Sequence, residues 1–253
     1  MISSIETVVR KLRCYIDLNQ SELSTLTTLP RKLIELEPGH EIVHEGQRKH
    51  NAFILFDGWV SSYKLLPDGT RQIIDFQLPG DFLGLRSLLL RTSDHSFEAI
   101  TNVTVAEISA KHIFEAFEKA PRLAAAVLWA ASRDEAMIVE HLINIGRRSA
   151  ITRTAHFLLE LGARLRLIGI GSKEGYPCPL SQYLLADALG LSAIHINRVL
   201  RQLREQNLLT FNKKHVHFHN LEKLIELADF QMAYLDQEGP IMKQSESEGH
   251  SHY

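Results

Sequence analysis

The chain has 253 residues, of which 45% are hydrophobic and 8% aromatic, so it can bury a core and is not generically disordered. Its formal net charge is −2, which by itself says nothing about partners, and no apolar run approaches the ~18–20 residues of a membrane span. The two cysteines cannot form a disulfide framework, and the N-terminus lacks the apolar centre of a signal peptide, so we expect a cytoplasmic protein without membrane contacts.

The pattern changes from helical to strand-like near residue 31. Residues 1–30 are predicted to form short helices, because leucine, isoleucine and valine recur there at helical spacing. From 31 to 108, apolar runs with period two are separated by turns such as Pro67-Asp68-Gly69, where proline presets φ and glycine tolerates positive φ. Short strands at this spacing predict a small antiparallel β-roll of the jelly-roll kind.

A long helix is predicted to follow the strands. A short amphipathic helix covers 110–119, and Pro121 then opens a stretch without proline or glycine that reaches Ile145 and is followed by Gly146. Two apolar stripes run along this helix, so one can pack on the β-roll while the other needs a second subunit; a helix buried inside a monomer is the alternative. The residues assigned to dimerisation are Leu123, Val127, Ala130, Ile138, Leu142 and Ile145.

Residues 147–220 are strongly basic. They hold eleven Lys and Arg against four Asp and Glu, a net charge of +7 that favours a domain binding a polyanion. The pattern over 182–199 is typical of a helix-turn-helix, with the small Ala186 where two helices cross and Gly190 in the turn between them. Two short strands near 208–218 would form the wing of a winged helix, and an ordinary helical hairpin in a core is the alternative.

The second helix of this motif is predicted to have one apolar and one basic face. At ~100° per residue, Ile194, Arg198 and Arg201 lie together, which suits a helix that enters the major groove. Arg198 can chelate guanine, Ile194 can touch a thymine methyl group, and Asn197 on the flank can pair with adenine. A phosphate contact suits Arg201 at least as well as base reading, and a plain surface role is the alternative for Asn197. The stripe that should face the core consists of Ile196, Val199, Leu200 and Leu203.

Phosphate contacts are predicted at helix N-termini and at the wing. Ser181 and Ser192 precede the two motif helices, where a hydroxyl can cap the helix and backbone N–H groups favour anions. Lys213 and Lys214 would lie in the turn of the hairpin and increase the salt dependence of binding; two solvated lysines are the alternative. The residues predicted to lie at a nucleic-acid interface are Ser181, Gln182, Ser192, Ile194, His195, Asn197, Arg198, Arg201, Lys213 and Lys214.

Several further motifs stand beside this order of elements. They are Gly39, Gly46 and Gly58 at turns of the roll, Pro79-Gly80-Asp81-Phe82-Leu83-Gly84, Ala106-Glu107-Ile108-Ser109, and Leu184, Ala186, Gly190, Leu191, Ser192, Asn197, Arg198, Val199, Leu200, Leu203 and Leu208. With the order of β-roll, long helix and winged helix, they make the chain resemble the Crp–Fnr family of transcription regulators over nearly all of residues 10–220. The resemblance implies an α+β fold and a homodimer on a palindromic double-stranded DNA operator, in contact with RNA polymerase.

The resemblance also implies a division into modules. Members commonly carry a Glu where Ile194 stands here, which puts the usual half-site sequence in doubt. The modules are a cyclic-nucleotide-binding-like β-roll sensor domain at 1–120, a dimerisation helix at 121–146, a winged helix-turn-helix domain at 147–220, and a C-terminal helix with a disordered tail at 221–253.

The sequence of this chain differs from that of the family's effector pocket. Cyclic-nucleotide binders carry Gly-Glu in this loop and then Arg-Ser/Thr-Ala, so that the Glu grips the ribose and the Arg neutralises the phosphate. Here Leu85 follows Gly84, and residues 94–97 read Asp-His-Ser-Phe, so a buried cyclic phosphate would be poorly neutralised and we expect weak or no cyclic AMP binding. The residues assigned to a pocket for an unidentified small-molecule effector are Gly80, Phe82, Gly84, Leu85, Arg86, His95 and Ser96.

No cofactor, metal site or enzyme motif is evident from the sequence, which contains no P-loop, no His-Glu-x-x-His and no Gly-x-Ser-x-Gly. Cys14 alone cannot do the work of the cysteine cluster in the iron–sulfur branch of the family, and Cys178 is a candidate redox thiol without an evident activating charge. A haem-based gas sensor and a ligand-binding module that docks a protein partner are the alternative functions. Candidate haem ligands are His44, His50, His95 and His112, and a metal site on one strand face would use His215, His217 and His219.

Overall fold

The computed structural model describes residues 2–48 and 51–237; His50 and the tail predicted to be disordered, 243–253, lie outside these described residues. The helices are α1 Ile2–Leu12, α2 Gln20–Thr28, α3 Ala110–Lys119, α4 Pro121–Arg147, α5 Ala150–Leu167, α6 Gln182–Leu189, α7 Ala193–Glu205 and α8 Leu221–Ala228. The strands are β1 Lys32–Leu36, β2 Glu41–Val43, β3 Ala52–Asp57, β4 Val60–Leu65, β5 Arg71–Gln77, β6 Phe82–Leu83, β7 Ser96–Ala99, β8 Val103–Ile108, β9 Gly175–Pro177, β10 Leu209–Asn212 and β11 His215–Phe218.

The first eight strands form the predicted antiparallel β-roll. They pair as two four-stranded sheets in the orders β1-β8-β3-β6 and β2-β7-β4-β5. Alternate side chains of both sheets meet in one core, where Leu55 and Val105 from the first sheet and Val60 and Phe97 from the second are buried together. The period-two pattern of the sequence is the cause, because it places the apolar residues of each strand on one face.

The N-terminal half of α4 packs into its own protomer. Leu123 and Val127 are buried against side chains of α1 and α3, with 0% and 2% of their surfaces exposed. Their assignment to a dimer interface is therefore wrong, because they are already used within this chain. None of the described helices combines the length and apolar character that a membrane span needs.

Helix α5 forms the centre of the C-terminal part, and every residue from Thr154 to Leu165 is buried. Helices α6, α7 and α8 pack around it with a three-stranded sheet in the order β10-β11-β9. Helix α8 is the C-terminal helix predicted at the start of 221–253, and it covers only the first eight of those residues. It ends where Asp229 adopts a left-handed backbone with φ of 46°, after which a short 3-10 helix at Ala233–Leu235 returns to α4.

Candidate nucleic-acid interface

Helices α6 and α7 are joined by a tight turn whose ends are fixed by local sequence. Ser181 caps α6 by accepting a bond from the backbone N–H of Leu184 at 3.2 Å, and Ser192 caps α7 by accepting one from His195 at 3.2 Å. Gly190 ends α6 with φ of 61° and ψ of 40°, a left-handed conformation that glycine adopts without a Cβ penalty. The local sequence therefore sets where α6 ends and where α7 begins.

Helix α7 has the two faces that the sequence predicts. Ile196, Val199, Leu200 and Leu203 are buried, whereas Ile194 is 85% exposed. Arg198 is exposed and has no ion-pair or hydrogen-bond partner in the described part of the chain. Arg201, by contrast, donates from Nε to the Glu205 carboxylate at 2.8 Å. Burial of the apolar stripe thus turns an isoleucine and a free guanidinium outward on one face.

The two helices are also joined at their outer surface. The side-chain amide of Asn197 donates to Oε1 of Gln182 at 3.2 Å, and both side chains are exposed. Next to Gln182, Tyr183 keeps 73% of its surface exposed, a feature that the sequence analysis did not single out. Polar and aromatic groups of α6 therefore lie beside the exposed face of α7.

The predicted wing is a hairpin with a two-residue turn. Asn212 pairs with His215, which leaves Lys213 and Lys214 as the turn, and their φ values are 45° and 59°. Two consecutive positive φ values are typical of type I′ turns, which favour Asn and Gly, so the lysine pair is conformationally costly here. The backbone N–H of Cys178 donates to the carbonyl of Lys214 at 2.9 Å and fixes the turn beside the segment that leads into α6.

Sequence comparison assigns both halves of the chain. The pattern of the cyclic nucleotide-binding domain matches residues 33–120, and that of the Crp-like helix-turn-helix domain matches residues 152–227. The nitrogen fixation regulation protein FixK of Bradyrhizobium diazoefficiens is 33% identical over 193 residues, which are 76% of this chain and 79% of that protein. This chain belongs to the Crp–Fnr family. Members of the family are transcription regulators, not enzymes.

Further Crp–Fnr relatives show the same relationship. The transcriptional activatory protein AadR of Rhodopseudomonas palustris is 32% identical, over 68% of this chain and 71% of that protein. The solved structure of FixK2 from Bradyrhizobium japonicum superimposes with a TM-score of 0.70 at 28% identity, covering 78% of this chain and 96% of that chain. The predicted fold class, a β-roll followed by a long helix and a helix-turn-helix, is confirmed.

An acidic group lies in residues 94–97, the segment that the family resemblance is expected to place at the phosphate-neutralising Arg motif. Asp94 accepts a bond from Arg86 at 2.5 Å and lies 2.8 Å from Nδ1 of His95. Although burial alone would raise it, the pKa of Asp94 is lowered by the neighbouring His95 and Arg86. The carboxylate is therefore ionised, and Arg86 is already neutralised by it.

The residues assigned to the effector pocket are only partly brought together. His95 and Ser96 are buried on or next to β7, and the Ser96 hydroxyl accepts a bond from the backbone N–H of Glu45 at 2.9 Å. Gly80 instead packs on α1, where a Cβ atom would come within 2.9 Å of the Thr7 carbonyl oxygen. Phe82 and Leu85 pack against the core that contains α4, and Gly84 adopts a φ of 67° in the turn. Arg86 lies beside His95, with 3.5 Å between Nη2 and Nδ1, but its side chain is 59% exposed.

The outer face of α4 carries an uncovered apolar stripe. Its residues are spaced alternately by three and four positions, the spacing of a helix pair that packs along a seam. Ala130 is half-buried and lies off this face. The stripe consists of Leu128, Ala131, Ile138, Leu142 and Ile145, with Glu135 in its middle; Leu142 is 71% and Leu128 68% exposed.

An ionic cluster missed by the sequence analysis lies where β-roll, α4 and α5 meet. His156, Glu160 and Arg164 lie at i, i+4 and i+8 on α5 and are all buried. Arg164 donates to both carboxylate oxygens of Asp75 at 2.8 and 3.2 Å, and Glu160 accepts a bond from the Tyr234 hydroxyl at 2.8 Å. The signal that could have revealed the cluster is three ionisable residues at helical spacing inside an otherwise apolar segment.

His141 connects α4 to this cluster. Its Nε2 lies 2.8 Å from Glu160 and its Nδ1 3.2 Å from the carbonyl of Ile74, so both ring nitrogens face acceptors. Burial opposes the charged ring, but the Glu160 carboxylate outweighs it and raises the pKa of His141 to about 9. Although Asp75, His141 and Glu160 bring ligand atoms within 4.8 Å of one another, the imidazolium and Arg164 already balance the carboxylates, which disfavours a metal ion.

Cys178 and the remaining candidate histidines are described by their burial and their hydrogen bonds. Cys178 is fully buried, and burial raises the pKa of its thiol to about 12, which does not favour a redox-sensing role. His44 is exposed and His112 bonds to Ser109 at the N-terminus of α3. The strand histidines share a face as predicted: the rings of His215 and His217 stack at 4.1 Å, and His219 bonds to Thr210 at 2.8 Å.

Proposed function

We propose that this regulator reads a palindromic DNA operator with α7 in the major groove. The observation that carries the proposal is the outward face of α7, where the exposed Ile194 and the unpaired Arg198 lie together on a helix anchored from behind. A free guanidinium can form two hydrogen bonds with O6 and N7 of guanine, and isoleucine can contact the methyl group of thymine. Such a pair favours a half-site that contains both bases.

Two further side chains support a division between base reading and positioning. Asn197 is oriented by Gln182, which suits a bidentate contact with adenine. Arg201 and Glu205 form an ion pair with 68% and 58% of their side chains exposed, and because such a pair is weak, Arg201 remains available for a contact to phosphate. His195 lies half-buried on the flank of α7 beside them.

Phosphate contacts are proposed at both helix N-termini and at the wing. In their caps Ser181 and Ser192 accept hydrogen bonds, so each hydroxyl hydrogen stays free to donate to a phosphate. Lys213 and Lys214 occupy a turn conformation that glycine and asparagine would adopt more easily, which supports a role for their charge. Together with the +7 charge of 147–220, these groups predict affinity that falls steeply with salt.

The operator would be bound by a dimer. We propose that the stripe of Leu128, Ala131, Ile138, Leu142 and Ile145 packs on the same stripe of a second copy, which places two α7 helices about 34 Å apart on one side of the duplex. Since the chromosome is its target, the regulator would act in the cytoplasm. RNA polymerase is a further proposed partner, supported by the family resemblance.

Selection of bound duplexes from a random pool tests the proposal and yields the operator. The selected sequences should be palindromic, and Arg198→Ala should cost about 1–3 kcal/mol of specific binding while relaxing one base position in each half-site. Arg31→Ala, which removes an exposed arginine from the β-roll, is the matched control and should bind like the unaltered protein. Unchanged affinity and specificity of Arg198→Ala would refute the assignment, and no salt-dependent binding to any duplex would favour docking of a protein instead.

A further inference from the structure

The helix-turn-helix contacts the β-roll where β5 packs against α6. Gln72 of β5 donates from its side-chain amide to the carbonyl of Ala188 in the last turn of α6, at 3.3 Å. That carbonyl lies just before Gly190, the residue that sets the start of α7. The contact therefore acts on the end of α6 from which α7 departs.

Arg71, at the start of β5, is the charged part of this contact. Its Nε donates to Oδ2 of Asp187 on α6 at 3.2 Å, and its Nη1 lies 3.4 Å from the carboxylate of Glu98 on β7. The guanidinium also lies over the ring of Tyr63 on β4, 5.2 Å from the ring centre. One cation thus joins two strands of the roll to the helix-turn-helix.

This arrangement differs from an ordinary surface ion pair. The side chains of Arg71, Glu98 and Asp187 are 24%, 28% and 34% exposed, and the planar guanidinium has a fixed orientation between ring and carboxylates. Isolated exposed pairs contribute little, but a partly buried network with a stacked arginine defines one geometry. Lys64 on β4 and Glu45 in the turn after β2 provide a contrast: they are 2.9 Å apart, 48% and 41% exposed, and contact no part of the helix-turn-helix through that pair.

We propose that Arg71 is a positioning residue that holds the helix-turn-helix in the orientation that DNA binding requires. The inference rests on the proposed operator-binding function. In this orientation the reading face of α7 is open, while the side of α6 that carries Asp187 is fixed to the roll. When this contact is made in both protomers of the proposed dimer, their two α7 helices lie at a defined separation, so loss of the contact lowers affinity without removing any group that touches DNA.

A double-mutant cycle on operator affinity tests the positioning role. Arg71→Gln and Asp187→Asn should each weaken binding by about three- to tenfold, and the double variant should bind no more weakly than Arg71→Gln alone, because both substitutions remove the Arg71–Asp187 pair. The charge swap Arg71→Asp with Asp187→Arg should recover part of the affinity. The salt dependence should stay unchanged in all variants, since no phosphate contact is lost. Lys64→Gln and Glu45→Gln are the matched controls and should bind like the unaltered chain.

Hydrogen exchange in the DNA-free protein provides a readout that does not depend on the operator. Backbone amides of α6 should exchange faster in Arg71→Gln than in Lys64→Gln, with unfolding midpoints unchanged. Unchanged or higher operator affinity of Arg71→Gln, fully additive single effects, or equal exchange in α6 would each overturn the proposal. If the unaltered protein bound no duplex, the proposed function would fail, and the exchange comparison would still decide whether Arg71 holds α6.

Discussion

Leu142→Glu is the perturbation that most directly tests the proposed dimer. Leu142 has 71% of its surface exposed in the protomer, so the substitution should leave the fold of one chain nearly unchanged. In the proposed dimer the same position would lie in the apolar seam of α4. A carboxylate there would face its symmetry mate or apolar side chains, and both situations disfavour association.

The magnitude follows from the exposed surface. Full burial of a leucine side chain is worth about 1.5–3 kcal/mol. Because 71% of Leu142 is still available for burial, its share in association is about 1–2 kcal/mol in each protomer and about 2–4 kcal/mol in the dimer. At 1.4 kcal/mol per factor of ten, the dissociation constant should rise roughly 30- to 700-fold, before any cost of the introduced charge.

Sedimentation velocity over a dilution series measures this shift. Phe114→Glu is the matched control, because Phe114 is 61% exposed on α3, away from the stripe, and the same charge there should leave the dimer intact. Dimers of Leu142→Glu that persist to the same dilution as the unaltered protein would refute the seam. Weaker dimers of Phe114→Glu would instead place the interface on α3.

Three further outcomes are expected. Replacing Lys213 and Lys214 by alanine should weaken binding to all duplexes alike and lower the salt slope by about two, whereas a sequence-selective loss would contradict a phosphate role. The pKa of His141 is raised from 6.5 to about 9 in the folded protein, so its pairing with Glu160 stabilises the fold fully below about pH 6.5, and this stabilisation is lost as pH rises through 9. The variant His141→Gln should therefore lose less unfolding free energy between pH 6.5 and 9 than the unaltered protein. An unchanged loss would contradict the pairing of His141 with Glu160. Calorimetric titration with cyclic AMP should show no micromolar binding, because Asp94 is ionised where an arginine would be needed, and a micromolar dissociation constant would overturn this expectation.

Local features of the reading motif could be predicted from the sequence because they depend on neighbouring residues. The caps by Ser181 and Ser192 need only a hydroxyl three positions before a backbone N–H, and the turn at Gly190 needs only a residue without a Cβ. The exposure of Ile194 follows from the helical period once Ile196 is taken as the anchor. These inferences needed no knowledge of what the motif packs against.

Features that depend on distant parts of the chain could not be predicted in the same way. Both stripes of α4 are apolar, so the helical period alone cannot distinguish Leu123, which is buried within the protomer, from Leu142, which is exposed on its surface. Asp229 ends α8 early, because Phe230 turns back to pack on His156 with ring centres 5.0 Å apart. The lysine pair of the wing adopts positive φ because the strands on either side fix a two-residue turn, which overrides the residues' own preference.

The junction of the modules shows why its geometry depends on charge as well as apolar packing. Arg164 and Glu160 are almost completely buried, with 2% and 0% of their side chains exposed, and each is balanced by groups from other elements: Asp75 from the β-roll and His141 from α4. A buried ion pair contributes little net stability, since desolvation offsets the attraction, but displacement of one partner leaves an uncompensated charge. The cluster therefore favours one relative arrangement of the roll, the long helix and α5 over arrangements in which any of these charges is displaced from its partner. Arg71 adds a weaker and more exposed contact between the roll and α6. A change in the roll can therefore shift the orientation of α6 at this contact for less free energy than a shift at the buried cluster would need.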